Sequence, residues 1–128
     1  MSPVVLAIVP DLFFFAKIEA TARATGIELH SGPVTDALEL CARLRPAMVL
    51  LDLHASGDLP ALIRALKTDE RTRAIPVTGF FSHVQIDVRN AAVEAGIDTA
   101  WPRSAFVTRL SGLFTECATR TTPPSEAS

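Results

Sequence analysis

Met48-Val-Leu-Leu-Asp52-Leu53 decides the fold: an apolar run ends in a single acid. A continuous apolar stretch of this kind predicts a strand buried on both faces, the sort that a parallel sheet places at its centre. Open α/β sheets gather their chemistry at the carboxyl ends of such strands, so Asp52 is a site candidate by position alone. The plainer alternative is a strand-end cap, but an unpaired acid after so apolar a run calls for a chemical reason.

Upstream, Val4 to Val9 is a second apolar run, ended by Pro10-Asp11. Asp11 predicts an N-cap for a helix over Leu12 to Thr25. On that helix Phe14, Ile18 and Ala22 share a stripe, Phe15 and Leu12 broaden it, and Glu19 with Arg23 forms an i,i+4 pair outside. Gly26 closes it. Phe13, Phe14 and Phe15 cannot all face inward on a helix, and Phe13 is predicted to be exposed, a hint of an interaction surface. Ile27 to His30 reads as a short strand and Ser31-Gly32-Pro33 as a turn. A helix carrying Val34, Ala37, Leu38, Cys41 and Leu44 follows and is stopped by Pro46.

Downstream, Ala55-Ser-Gly-Asp58 reads as a loop, then a short helix turns Leu59, Leu62, Ile63 and Leu66 inward. Lys67 to Arg73 is a charged connection. Ile75 to Phe81 predicts a fourth strand, and Val84 to Ala95 a helix aligning Val84, Val88, Ala92 and Ala95 before Gly96 ends it. Thr99 to Trp101 is a brief fifth strand, and Pro102, with no N–H to donate, fits an edge position. The last helix is expected to start with Ser104 as N-cap and to align Phe106, Leu110, Leu113, Phe114 and Cys117. The domain is expected to span residues 3–118, with Thr119 to Ser128, including Pro123-Pro124, as a frayed tail.

Five strands alternating with five helices predict an α/β, doubly wound, five-stranded parallel sheet in the order 2-1-3-4-5 with helices on both faces. That order brings the carboxyl ends of strands one and three together. Asp11 and Asp52 are then expected to face each other across a shallow cleft.

Composition excludes several classes of function. The 128 residues, 48% hydrophobic with mean hydropathy +0.30, fit one compact domain with a single core. A net charge of −2, a pI near 5.9 and scattered arginines leave no footprint for nucleic acid. Cys41 and Cys117 sit at apolar helix positions and read as buried core residues, not as a disulfide or metal pair, which fits a reducing cytoplasm. The Met1 segment lacks an export pattern and no apolar run is long enough to span a bilayer, so neither export nor a membrane partner is expected.

Two carboxylates at neighbouring strand ends suit Mg²⁺, which takes a few carboxylates plus waters and phosphate oxygens. The metal would screen an incoming phosphoryl group while one carboxylate attacks it, giving an aspartyl phosphate. A cation on a neighbouring strand end would hold the product anion.

From Pro3 to Phe114 the chain resembles the receiver domains of two-component response regulators. The resemblance is carried by Val9-Pro-Asp11, Val49-Leu-Leu-Asp52, the connection Leu66-Lys-Thr-Asp-Glu-Arg-Thr-Arg-Ala-Ile-Pro76 leading into Val77, and Ala95-Gly-Ile-Asp98. It implies a flavodoxin-like sheet, a phosphoacceptor at Asp52, and Mg²⁺ held by Asp11, Asp52 and the main-chain carbonyl of His54. It further implies a phosphate contact from Arg103, where receivers use a lysine, and a histidine kinase or other signalling protein as partner.

The chain departs from that pattern at several positions. Pro10 occupies the place of a second acid, and losing one carboxylate about 4 Å from a divalent ion forfeits about 2 kcal/mol even at water's dielectric, so Mg²⁺ binding is expected to be weak. The strand-four hydroxyl falls on Ser82 when counted from Asp52 but on Phe81 when counted back from Arg103. Ser104 replaces the proline that usually follows the lysine, so no cis peptide is expected there. Ala100 stands at the switch aromatic of strand five, and Phe81 fills the space it leaves in a divergent or pseudo-receiver.

Competing readings attach to the same residues. Asp11 serves equally as a helix cap, and Arg103 as a permanent partner of Asp52. His83 is a phosphate-donor contact, a pH-sensitive group or a solvated loop residue. Asp52-Leu-His54-Ala-Ser-Gly57 fits the Asp-x-His-x-x-Gly pattern of cobalamin-binding domains, but it follows the third strand and lacks that family's companion motifs. Phosphate loops, dinucleotide fingerprints and nucleophile elbows are absent, so no enzyme is expected. The expectation is a stand-alone receiver-like signalling domain of the two-component phosphorelay type, modulated at Asp52 and acting through protein interaction, with no output domain after Phe114. The alternative is a phosphorylation-independent adaptor, and a homodimer is left open.

Overall fold

The computed structural model describes residues 2–82 and 85–120. Five parallel strands, β1 (Val4–Ile8), β2 (Glu28–Ser31), β3 (Met48–Asp52), β4 (Val77–Phe81) and β5 (Thr99–Pro102), form one sheet in the order β2-β1-β3-β4-β5. Between and after them run α1 (Leu12–Thr25), α2 (Ala37–Leu44), α3 (Leu59–Thr68), α4 (Ile86–Ala95) and α5 (Arg103–Arg120). The strand order is the one the sequence predicts.

Side chains alternate across each strand, so the apolar runs feed two layers. On one face α1 and α5 bring Phe14, Ile18, Phe106, Leu110 and Phe114 against Val5, Ala7, Leu50 and Phe80. On the other, α2, α3 and α4 bring Cys41, Ile63, Leu66 and Ala92 against Leu6, Ile8, Val49, Leu51 and Phe81. Fully burying side chains of this size stabilises by roughly 1.5–3 kcal/mol each, which is why the central strands read as unbroken apolar runs. Gly79, in the middle of β4, is the only size that fits there: a Cβ would stand 2.9 Å from side-chain carbons of both Leu53 and Ile97.

Helix ends follow local chemistry. Asp11 accepts from Phe14 N at 3.1 Å and Asp58 from Ala61 N at 3.0 Å, capping α1 and α3. Gly26 and Gly96 end α1 and α4 in the left-handed region, at φ 77° and 103°. Glu19 and Arg23 pair at 3.8 Å. Away from the sheet's carboxyl end, Lys67 Nζ donates to Asp98 Oδ2 at 2.7 Å and to the Ile75 carbonyl at 3.0 Å, tying α3 to the approaches of β4 and β5. Arg71 donates to Asp69 and Glu39, which holds the Asp69 carboxyl down to about 2 and also lowers that of Glu39. Cys41 and Cys117 are free and buried, and burial pushes the Cys41 thiol up to about 11.

Several boundaries differ from expectation. Leu12 is 80% exposed and does not broaden the α1 stripe: at 100° per residue it sits 200° from Phe14, outside the arc that meets the sheet. Phe13 is exposed as expected, at 92%. β2 begins at Glu28 rather than Ile27, because it enters the sheet by pairing with Val4 of β1. Val34 to Asp36 form a 3-10 turn, so α2 starts only at Ala37. β4 begins at Val77, after Pro76, whose missing N–H keeps the approach irregular. α4 begins at Ile86, and His83 and Val84 lie outside the described residues. β5 extends to Pro102, which pairs with Phe81 on the edge strand. α5 begins at Arg103, which puts Ser104 inside the first turn rather than at the cap. α5 runs to Arg120, and within it the Thr119 hydroxyl donates to the Thr115 carbonyl at 3.0 Å; the rest of the expected tail, residues 121–128, lies outside the described residues.

Candidate functional site

The β1–β3 register, Ile8 opposite Leu51, brings the ends of both strands to one edge of the sheet. Asp52 closes β3 there, 6% exposed, with Phe80 of β4 opposite it. Its Oδ1 accepts from His54 N at 2.9 Å, and among the described residues its carboxylate has no other hydrogen bond or ion pair. One carboxylate oxygen is therefore left without a protein partner, at the place where the sheet opens to solvent.

Asp11 is differently engaged. Its Oδ1 caps α1, and its Oδ2 faces Arg103 Nη1 at 3.9 Å. Arg103 does not pair with Asp52. Its guanidinium lies 4.3 Å from the centroid of Phe14 and 5.5 Å from that of Phe80, on an aromatic cluster in which Phe80 stacks on Phe106 at 4.8 Å. A planar, weakly hydrated guanidinium suits an aromatic face better than an ammonium does, so the residue type explains the placement.

Phe81 and Ser82, the two strand-four candidates, lie in different surroundings. Phe81 is 3% exposed in the core under α2, α3 and α4, with Ala100 packed against that core, while Ser82 lines the cleft. The Ser82 N–H donates to His54 Nε2 at 3.0 Å, and the Ser82 hydroxyl has no hydrogen bond among the described residues. The His54 ring is thus an acceptor that ties the loop after β3 to the end of β4. Phe14, Lys17, His54, Ser82, Arg103, Ser104 and Val107 line an open hollow of about 800 Å³ between this edge and the α1–α5 face.

Three features here escaped the sequence reading: Lys17 in the hollow, the His54 side chain as a tie, and Phe14 as the seat of Arg103. Lys17 had a signal, since it lies three residues beyond Phe14 and so one turn further along the same side of α1. The other two depend on neighbours brought together only by the fold.

The donor set for a divalent cation is small. Among the described residues no group of three histidine, cysteine or acidic side chains converges. Pro10 offers no carboxylate, and Asp11 already serves α1 and faces Arg103.

No family model and no curated protein matches the chain. Solved structures do. The receiver domain of sensor histidine kinase PA1611 from Pseudomonas aeruginosa, with magnesium coordinated in its active-site cleft, superposes with TM-score 0.80 at 16% identity, covering 93% of this chain and 99% of that one. The chemotaxis response regulator CheY4 of Vibrio cholerae gives TM-score 0.76 at 12% identity, covering 91% and 99%. The Mn²⁺-bound form of response regulator Rcp1 gives 0.72 at 14%, covering 94% and 97%. With five parallel strands in the order 2-1-3-4-5 and five helices, the chain has the flavodoxin-like fold of response-regulator receiver domains.

Proposed function

We propose that this chain is a receiver-like signalling domain that accepts a phosphoryl group on Asp52. The observation that carries the reading is the Asp52 carboxylate itself: buried at the end of the central strand, with one oxygen fixed by His54 N and the other unpartnered among the described residues. In the transfer, that oxygen forms a new O–P bond as the P–N bond of a phosphohistidine donor breaks. The imidazole nitrogen leaves with the electron pair and takes up a proton. The Ser82 hydroxyl is free to donate to a phosphoryl oxygen, and Lys17 and Arg103 supply positive charge along the same hollow.

Mg²⁺, held by Asp11, Asp52 and the His54 carbonyl, would screen the charge of the incoming group. With Asp11 shared and Pro10 neutral, the ion would be held weakly. The partners this chemistry calls for are a histidine kinase as donor and a signalling protein that reads the surface. The Ser82 N–H donates to His54 Nε2, the atom that would meet cobalt, which weighs against cobalamin as a ligand.

Incubation with a phosphoramidate donor and Mg²⁺, read by intact mass, tests the reading. Wild type should gain a phosphoryl increment that Asp52→Asn does not. Equal labelling of both, or none of wild type at saturating donor, would refute it.

One observation favours a second reading, an adaptor with a fixed surface. Phe81 is locked in the core and Ala100 offers no ring to move behind it. Beryllofluoride loading, followed by amide NMR, separates the two. Shifts confined to the surroundings of Asp11, Asp52 and Arg103 support the fixed surface; shifts running through α4 and Ala100 show a working switch.

A further inference from the structure

We propose that the His54 side chain is a positioning residue for phosphoryl transfer at Asp52: it holds the Ser82 main chain, and so sets where the Ser82 hydroxyl meets the incoming phosphoryl group. This rests on the reading of Asp52 as the phosphoacceptor.

Residue 54 reaches both parts of the site. Its main-chain N–H donates to Asp52 Oδ1 at 2.9 Å, and its ring Nε2 accepts from Ser82 N, 28 residues further along the chain, at 3.0 Å. A main-chain N–H can only donate, so Nε2 is unprotonated in this bond and the ring carries its proton on Nδ1.

The ring stands in for a sheet bond. Leu53 N still donates to the Phe80 carbonyl at 3.0 Å, but the chain then turns away from β4, with Ala55 N donating to the Asp52 carbonyl at 2.9 Å. Two residues beyond Phe80, Ser82 points its N–H to the same side, where β3 has ended. The imidazole supplies the acceptor that the strand no longer offers.

That bond also places the hydroxyl. Ser82 is held at its N–H by His54 and at its carbonyl by Gln85 N, which donates to it at 2.8 Å. With both main-chain groups held, only the Ser82 rotamer is left to choose, and the residue lines the hollow that His54 and Arg103 share. A donor fixed before the phosphoryl group arrives needs no reorganisation during transfer.

The ring can be tested apart from the rest of the residue. The N–H that meets Asp52 and the His54 carbonyl are main-chain groups, which His54→Phe and His54→Gln both keep. His54 is exposed, so its replacement opens no buried cavity. Labelling by a saturating phosphoramidate donor with Mg²⁺, followed by intact mass, should slow about tenfold in His54→Phe, which keeps a flat ring but offers no acceptor. It should recover in His54→Gln, whose Oε1 reaches the place of Nε2. Ser82→Ala should lose about as much as His54→Phe, and the double variant no more than either single one, because the ring acts only through Ser82. A loss of stability alone would instead add to the Ser82→Ala loss. Amide exchange at Ser82 reports the bond itself, and should be slower in wild type and His54→Gln than in His54→Phe.

A labelled wild type whose rate and Ser82 exchange are unchanged in His54→Phe overturns this proposal alone. So does a loss that His54→Gln fails to recover, or additive losses in the double variant. A wild type that takes no label overturns the reading of Asp52 and this proposal with it.

Discussion

An acid placed at position 10 tests whether Pro10 weakens the proposed metal site. Pro10 is exposed and lies between β1 and α1, outside both, so Pro10→Asp disturbs no ladder or helix hydrogen bond. A carboxylate about 4 Å from a divalent ion gains about 2 kcal/mol at water's dielectric, and that corresponds to about a thirtyfold gain in affinity. In wild type the competition runs the other way: Arg103 already stands 3.9 Å from Asp11, an attraction of about 1 kcal/mol at the same dielectric that an entering ion disturbs. Calorimetric titration should therefore find Mg²⁺ binding to wild type in the millimolar range or weaker, and to Pro10→Asp about thirty times tighter. Trp101, near Arg103 in sequence, offers a fluorescence cross-check. Submillimolar binding by wild type, or an unchanged affinity in Pro10→Asp, would refute the reasoning.

The Arg71 cluster makes a pH prediction. The Asp69 carboxyl is held at about 2, below its ordinary 3.8, chiefly by its side-chain hydrogen bond from Arg71, so its contribution is present above the ordinary value and lost as pH falls toward 2. Denaturant midpoints of wild type and Arg71→Gln should differ near neutrality and converge on acidification, whereas a gap that widens on acidification would contradict the assignment. Gly79→Val should destabilise by about 1–3 kcal/mol in denaturant unfolding, since its Cβ would meet the Leu53 and Ile97 side chains at 2.9 Å; a neutral result would mean that β4 yields more than its packing implies.

What the sequence makes legible is what depends on local period and composition. The runs Val4 to Val9 and Met48 to Leu51 announce buried strands because both of their faces are covered, and Asp11 and Gly26 mark the ends of α1 because capping is a property of a few adjacent residues. Strand order followed from alternation and handedness alone. Side chains at the rim are another matter. Leu12 matches the apolar composition of its helix, yet its angular position puts it in solvent, and only the docking angle of α1 on the sheet decides that. Phe81 and Ser82 are adjacent, one step of the pleat apart, which sends the phenylalanine into the core and leaves the serine at the cleft.

Arg103 is the sharpest case. The resemblance to receiver domains implies a cation beside Asp52 at this position, but the resting place of Arg103 is set by Phe14 from α1 and Phe80 from β4, two rings that no local pattern connects to it. The consequence reaches function. A guanidinium held over Phe14 and facing Asp11 does not pair with Asp52, so among the described residues one oxygen of the central carboxylate is left without a partner. For Arg103 to reach a phosphoryl group on Asp52 it must leave both the aromatic face and the Asp11 carboxylate, interactions worth about 0.5–1 kcal/mol each at an exposed site. A phosphoryl dianion in a partly desolvated cleft can offset that sum, whereas the single charge of unmodified Asp52 leaves the guanidinium where it is found.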